Sequence, residues 1–216
     1  MAFINGVIGV SRKKVGEIVA FKRAGKTIAR KYLGSGEISN PNTNAQAAHR
    51  ARFALIAETI AMNSAFFNKS FSAFKRFFTG YAAAIHYNWD NLITGVYPTY
   101  TVDYASLIPS KGSLVGVDAP SATANVSHGV DVTWTDNSGS GNASADDLVS
   151  VVLWVPTIPA LNTIFSYEDV AARNAGTASI TGIIGFAGLT GHVWICLRKS
   201  GTRKYSTAQY LGTVTL

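Results

Sequence analysis

The sequence predicts an α+β protein in which a basic β-hairpin and two antiparallel helices (residues 1–118) precede a β-sandwich (119–216). Three observations support this fold class. Basic residues are concentrated near the start, apolar residues recur at helical spacing in the middle, and short strand-like runs separated by polar turns fill the rest. With 216 residues, 47% hydrophobic and 14% charged, the chain can bury a sizeable core and is too apolar to be intrinsically disordered.

Apolar runs on both sides of a glycine-containing loop predict the hairpin within residues 6–33. Residues 15–21 precede the loop Lys22-Arg23-Ala24-Gly25-Lys26, and Thr27-Ile28-Ala29 follow it. Two β-rich runs joined by a short loop with glycine are typical of a hairpin.

Two helices are predicted between residues 43 and 94. Thr43 followed by Gln46 fits a capping box, so the first helix begins there and runs to about Phe67, with Phe53 in its apolar stripe. After an interruption at residues 68–70, a second helix is predicted by apolar residues three, four or seven positions apart, and it ends before Gly95 and Pro98. These residues are Phe67, Phe71, Phe74, Phe78, Tyr81, Ile85 and Leu92. A short strand is predicted from Tyr97 to Tyr104.

Short apolar runs separated by turns predict seven strands in the last part of the chain. Their number and spacing are typical of an immunoglobulin-like β-sandwich. The single cysteine, Cys196, lies in an apolar run and is predicted to be a small buried side chain. The predicted strands are 121–126, 130–135, 148–155, 161–166, 177–181, 191–199 and 207–215.

Part of this region resembles a fibronectin type III domain. The run 130–136 (VDVTWTD) resembles the second strand of that domain, in which a tryptophan, here Trp134, fills the core. The run 191–199, followed by a last strand ending at Leu216, looks like its final hairpin. One departure is Trp194, which stands where the family would have a tyrosine.

The N-terminal part is similar to an uncharacterised family of Bacteroidota proteins of about this length. The similarity rests on residues 15–19, 25–27 and 40–46 (NPNTNAQ) and on Arg50, Arg52 and Phe53. Members of that family also end in a Leu-Gly-x-Val-type strand, which is residues 211–214 here. The NPxTxAQ element also resembles one found in small phage and prophage proteins. This resemblance implies kinship, and it implies no activity for any residue.

The charge is unevenly distributed along the chain. The net charge is +7, yet residues 1–80 carry thirteen basic and three acidic residues, whereas 81–216 carry six and nine. Such asymmetry is typical of a polyanion partner or of head-to-tail assembly. Three interpretations stay open: contact with nucleic-acid phosphates, docking on an acidic neighbouring subunit, and a solvated surface. The candidate contact residues are Arg12, Lys13, Lys14, Lys22, Arg23, Lys26, Arg30, Lys31, Arg50 and Arg52.

We find no catalytic constellation in the sequence and predict no catalytic residue, metal ligand or cofactor. The sequence has no Gly-x-Ser-x-Gly element, no His-x-x-x-His or Cys-x-x-Cys pair and no phosphate-binding glycine pattern. The acidic pairs Asp146-Asp147 and Glu168-Asp169 are interpreted as solvated turn residues. A calcium site is a minor alternative, built from Asp136, Asn137, Asn142, Asp146 and Asp147.

These observations favour a non-enzymatic structural or assembly protein, with a virion component as the first hypothesis. Its expected partners are further copies of itself, other assembly subunits and non-specific nucleic acid. No membrane span is expected, because no apolar run reaches about 18–20 residues. The virion or the cytoplasm is the expected location, because the first basic residues follow the N-terminal apolar stretch instead of preceding it.

Two rival functions come from other classes. The first is a surface-exposed carbohydrate- or protein-binding module, which would need a cluster of exposed tryptophan and tyrosine rings. The second is an enzyme of unrecognised type, which would need His86, His128 or His192 to share a cleft with an acidic side chain.

Overall fold

The computed structural model describes residues 13–15, 18–23, 26–31, 43–74, 79–156 and 163–216. These residues form a mixed α+β fold with a strand-rich C-terminal part. The α+β class predicted from the sequence is therefore confirmed. The helices are α1 (Asn44–Ala61), α2 (Ser64–Ser70) and α3 (Gly80–Asn88). The strands are β1 (Lys13–Val15), β2 (Ile18–Arg23), β3 (Lys26–Lys31), β4 (Ile93–Thr94), β5 (Thr101–Val102), β6 (Asp118–Asn125), β7 (Gly129–Thr135), β8 (Leu148–Val155), β9 (Thr163–Ala172), β10 (Thr177–Ile180), β11 (Thr190–Arg198) and β12 (Gln209–Thr215).

The chain divides into two compact units, a first unit of Met1–Ala47 and a second unit of Ala48–Leu216. The predicted domain boundary at 118/119 stays a prediction. Within the described parts of the chain, none of the helices combines the length and the apolar character needed to cross a bilayer.

The first unit contains an antiparallel sheet in the order β1-β2-β3. The β2–β3 pair is the expected hairpin, with Ile18 opposite Lys31 and Arg23 opposite Lys26. β1 adds a third strand, in which Val15 lies opposite Ile18. The part of the predicted hairpin region before residue 13 lies outside the described residues.

The second unit is built around a four-stranded antiparallel sheet, in the order β12-β11-β8-β9, that is buried on both faces. On one face Trp154 and Cys196 share a core with helical residues such as Phe66. On the other face Leu153 and Ile195 share a second core with the sheet β10-β7-β6. Successive strand residues point to opposite faces, so burial on both sides explains why β8 is an unbroken apolar run.

The capping box predicted for α1 is present, but the predicted burial of Phe53 is wrong. The Gln46 amide N–H donates to Thr43 Oγ1 at 3.3 Å, and the Thr43 amide N–H donates to Gln46 Oε1 at 3.4 Å. α1 ends at Ala61, before the predicted Phe67, and its first buried residue is Ile56. Phe53 is 48% exposed.

The predicted interruption at residues 68–70, followed by one helix that ends before Gly95, is also wrong, because α2 covers residues 68–70 and α3 begins only at Gly80. α2 ends at Ser70, a 3-10 turn covers Ser72–Phe74, and α3 begins at Gly80. Thr79 caps α3 by accepting the Ala82 N–H at 3.2 Å. A side chain at Gly80 would collide with the Asn68 carbonyl oxygen, so the close approach of α3 to α2 depends on glycine. Phe78 lies outside the described residues.

The predicted strands agree with the structure to different degrees. The strand 148–155 has the predicted bounds, and β9 extends to Ala172, beyond the expected end at 166. The strand predicted over Tyr97–Tyr104 is reduced to β5, and Gly95 takes its positive φ of 83° before it, in the loop between β4 and β5. Trp134 and Cys196 are buried as expected.

Candidate functional site

Almost all of the net charge belongs to the first unit. Residues 1–47 contain eight basic and two acidic residues, a net charge of +6. Residues 48–216 contain eleven basic and ten acidic residues, a net charge of +1. The division into units therefore separates a strongly cationic small unit from a nearly neutral large one.

The basic sheet, which we define as β1, β2 and β3, carries seven of the ten predicted contact residues. Arg50 and Arg52 lie on α1, and Arg12 lies outside the described residues. The seven are Lys13, Lys14, Lys22, Arg23, Lys26, Arg30 and Lys31.

Two cations of the basic sheet, Arg30 and Lys31, lie on opposite faces of β3. Arg30 and Lys31 are both exposed and are successive residues of β3, so their side chains leave opposite faces. Ile18 and Ile28 are also exposed, by 42% and 39%. Both faces therefore combine accessible positive charge with accessible aliphatic surface.

Arg52 contacts both the backbone and the ring of Trp89 within the second unit. Its Nε and Nη2 donate to the Trp89 carbonyl oxygen at 3.1 and 2.6 Å, and its guanidinium lies 5.4 Å from the Trp89 ring centroid. The His49 ring contacts the same tryptophan at 4.8 Å between centroids. Arg50 is exposed on α1. Arg52 thus holds α1 against the end of α3.

A second candidate is a cavity of about 450 Å³ on the surface of the second unit. We call it the charged groove. It lies among α2, β9, β11 and the loop that follows β11, and its volume is within the range of small-molecule sites. It is lined by Asn68, Lys69, Ser72, Glu168, Asp169, Arg198, Thr202, Arg203 and Tyr205.

Two ion pairs cross the charged groove. Lys69 Nζ lies 2.9 and 3.1 Å from the two carboxylate oxygens of Glu168. Arg198 donates from Nη2 to Asp169 Oδ2 at 2.6 Å and from Nε to Oδ1 at 3.3 Å. The bond to Asp169 raises the pKa of Arg198, and the Arg198 Nη1 donates to the Thr202 carbonyl at 3.1 Å. Each β9 carboxylate is therefore neutralised by a basic side chain from another part of the fold, α2 for Glu168 and β11 for Asp169.

A bulge in β9 places the two acidic residues together, and it corrects their interpretation as solvated turn residues. Val149 lies opposite Ala171 and Val151 opposite Tyr167, so three residues of β9, 168–170, face Ser150 alone. Asp169 has a φ of 57°, and its N–H donates to Ser150 Oγ at 3.3 Å. A left-handed conformation at a residue other than glycine costs about 1–3 kcal/mol, more than the roughly 0–1 kcal/mol of an exposed ion pair.

The other acidic pair, Asp146-Asp147, is also not a simple solvated turn. Asp147 and Arg173 form a fully buried ion pair, with Asp147 Oδ2 3.0 Å from Nη2. Arg173 Nη1 donates to the Gly116 carbonyl and to Asn137 Oδ1 at 2.7 and 2.6 Å. Two oxygens that the alternative calcium site would need, Asn137 Oδ1 and Asp147 Oδ2, therefore already accept hydrogen bonds from Arg173. No group of three or more His, Cys, Asp or Glu side chains that could hold a metal ion occurs in the part of the chain that the structure describes.

The histidine closest to a reactive arrangement is His192, and it sits among aromatic rings. Its Nδ1 lies 2.8 Å from the Tyr210 hydroxyl, and its ring is 5.4 Å from that of Tyr104. Burial lowers the pKa of His192, and the negative charge of Asp103 opposes this shift. Trp194, stacked at 6.1 Å, is 1% exposed, whereas Tyr210 is 38% exposed, so the cluster extends from the core to the surface.

Cys196 is not positioned to act as a nucleophile. Its side chain is fully buried, and burial raises the pKa of the thiol to about 12. The thiolate is the nucleophilic form, so the cysteine is a packing residue in this structure.

Comparison with protein families finds a match that runs through both units. The model of a family of unknown function (DUF6266) matches residues 10–212. The matched range includes the basic sheet and every residue that lines the charged groove. No curated protein matches the chain.

Proposed function

The chain belongs to the DUF6266 family, and we propose that it is a non-enzymatic structural or assembly protein whose basic sheet contacts a polyanionic surface. The observation that carries this proposal is the separation of charge, +6 in the first unit against +1 in the second. Nucleic acid and an acidic neighbouring subunit are the two surfaces that such a unit fits.

Accessible charge on both faces of the basic sheet supports this contact. Arg30 and Lys31 are exposed and leave opposite faces. Lysine and arginine next to phosphates release condensed counterions, which gives binding without sequence preference. The exposed Ile18 and Ile28 add apolar area that a partner would cover.

We propose that residues 119–216 form an immunoglobulin/fibronectin-like β-sandwich that serves as the interaction module. Support comes from the two sheets, β10-β7-β6 and β12-β11-β8-β9, which share one apolar core. Trp134 is buried in that core, as the resemblance implies. β12 lies at a sheet edge, where a neighbouring strand could add.

More specifically, we propose that the protein is a virion component and acts in the virion or the cytoplasm. It rests on the resemblance of residues 40–46 to phage and prophage proteins and is an argument by analogy. The alternative, a surface-exposed carbohydrate- or protein-binding module, could use the exposed Tyr97 and Tyr210, but it has less support because Trp154 and Trp194 are each 1% exposed.

Binding of single-stranded DNA and of heparin by the full chain tests the proposal. We expect the logarithm of affinity to fall linearly with the logarithm of salt concentration. The double variant Arg30→Gln/Lys31→Gln should bind more weakly, with the salt slope reduced by about one to two. The matched control, Lys199→Gln/Lys204→Gln, removes the same charge from the second unit and should leave both quantities unchanged.

Light scattering after size-exclusion chromatography separates the two kinds of partner. Salt-sensitive oligomers that dissociate in the Arg30→Gln/Lys31→Gln variant would support an acidic neighbouring subunit. A 22.9 kDa monomer at all concentrations, with no retention on heparin or DNA at low salt, would contradict the proposal.

A further inference from the structure

We propose that the charged groove is a binding site for a small molecule that carries an anionic oxygen group, a carboxylate or a phosphate. The site lies in the second unit and does not depend on the polyanion contact proposed for the basic sheet. Three features of the structure support it: the backbone of β9, the charge balance of the lining and the unused hydrogen-bond donors.

The first feature is the bulge that brings Glu168 and Asp169 to the same cavity. In a regular strand these neighbours would point to opposite faces of the sheet. Here Ser150 alone faces residues 168–170, and Asp169 is left-handed with a φ of 57°. Bulges that redirect side chains and strained residues are found preferentially at functional sites. The exposed ion pairs give the fold little stability in return.

The second feature is the charge balance of the lining. Lys69, Arg198 and Arg203 contribute three positive charges, and Glu168 and Asp169 contribute two negative ones. Each carboxylate is already paired, Glu168 with Lys69 and Asp169 with Arg198. The Arg203 guanidinium has no ion-pair partner within the described ranges of the chain. A bound anion would therefore neutralise the remaining positive charge without breaking either ion pair.

The third feature is the set of donors that remain. Arg198 has five N–H groups, of which three contact Asp169 and the Thr202 carbonyl. The two carboxylates hold Lys69 and Arg198 in place, so that their remaining donors are preorganised. The planar fork of Arg203 matches carboxylate and phosphate oxygens. Its loop is fixed by Ser72, whose hydroxyl donates to the Arg203 carbonyl at 2.9 Å.

Thermal unfolding of the full chain with added anions tests the proposal. The probes are sodium phosphate and sodium acetate, each compared with sodium chloride at equal ionic strength, because general salt effects must be separated from binding. We expect phosphate, acetate or both to raise the unfolding temperature above the chloride control, since a ligand of the native state stabilises it by mass action. The anion that acts shows which class the groove takes.

Two neighbouring variants identify the site. Arg203→Gln should weaken the anion affinity by about tenfold or more, as expected for the loss of a charged hydrogen bond. Lys204→Gln removes the adjacent exposed cation, which does not line the groove, and should keep the affinity of the natural chain. Arg203→Lys retains the positive charge but lacks the paired N–H donors of the guanidinium, so it should give an intermediate affinity.

The outcomes separate this proposal from the one for the basic sheet. An anion effect that survives in Arg30→Gln/Lys31→Gln and is lost in Arg203→Gln supports the groove, whatever the result with DNA. No stabilisation beyond chloride, or equal stabilisation in the natural chain and Arg203→Gln, would overturn it. The unfolding temperature of Arg203→Gln without anion shows that the variant is folded.

Discussion

The two units use charged residues in different ways. In the first unit Arg30 and Lys31 are exposed, and among residues 18–20 and 28–31 only Ala20 is buried. In the described part of the second unit Lys69, Arg198 and Arg173 are joined to carboxylates, in pairs that range from the exposed Lys69–Glu168 to the fully buried Arg173–Asp147. The same side-chain types therefore present charge outward in one region and organise the fold in the other.

The difference teaches that the surroundings of a charge, and not its count, decide what it contributes. An exposed pair is screened by water and contributes little to stability. A buried pair strongly destabilises the protein when one partner is removed, because the other charge stays desolvated. We expect stability to depend on charges of the second unit and polyanion binding to depend on charges of the first.

The largest effect is expected for Arg173→Met. The substitution leaves the Asp147 carboxylate, which is fully buried, without its cation, and should lower the free energy of unfolding by about 3–5 kcal/mol. It also removes the donors to the Gly116 and Val115 carbonyls. Urea denaturation followed by circular dichroism measures the loss.

Two control variants show whether the loss of stability is specific to the buried ion pair of the second unit. Arg30→Met removes a cation from the first unit and should change the free energy of unfolding by well under 1 kcal/mol, as exposed substitutions do. The double variant Arg173→Met/Asp147→Leu should recover a large part of the lost stability, because it removes the unpaired charge. An Arg173→Met protein as stable as the natural chain would remove the distinction between the units.

A smaller difference is expected between two tryptophans of the second unit. The Trp134 Nε1 donates to the Arg173 carbonyl at 2.7 Å, whereas the Trp194 Nε1 is buried with no partner among the described residues. Trp134→Phe should therefore cost about 1 kcal/mol more than Trp194→Phe, although Trp194 is the more deeply buried. Urea denaturation of both variants measures the difference. A larger loss in Trp194→Phe would show that packing outweighs the hydrogen bond.

Sequence patterns predicted best those elements whose signal is local or repeated. β8 has its predicted bounds, because burial on both faces produces one continuous apolar run over Leu148–Val155. The start of α1 was predictable since the cap is formed by Thr43 and Gln46 alone. The concentration of basic residues was also readable, although the placement of Arg30 and Lys31 on opposite faces required knowing that both lie in β3.

The charged groove could not be predicted, because its residues come from distant parts of the chain. Lys69 and Glu168 are 99 positions apart, and the bulge that aligns Glu168 with Asp169 depends on the pairing of β9 with β8. The break between α2 and α3 had a readable signal, Thr79-Gly80, which the aromatic spacing concealed. Spacing predicted an apolar face correctly at Phe71 and Ile85, and it could not show that two helices share that face.

The smallest effect is expected from pH, and it again falls on the second unit, which contains all four histidines. Burial lowers the pKa of His192 below its ordinary value of 6.5, partly offset by Asp103. The unfolded chain then binds the proton more readily than the folded one, so the free energy of unfolding should fall slightly as the pH drops below about 6.5. Urea denaturation at pH 7.5 and 5.5 measures this loss, and His192→Gln should reduce it.

The same pH change tests where a polyanion binds. The first unit has no histidine, the side chain whose ordinary pKa lies between these two pH values. Heparin affinity that depends on Arg30 and Lys31 should therefore stay constant across this range. An affinity that rises on acidification, and that Arg30→Gln/Lys31→Gln does not weaken, would assign the contact to the second unit. It would then be the large unit, and not the basic sheet, that meets the polyanion.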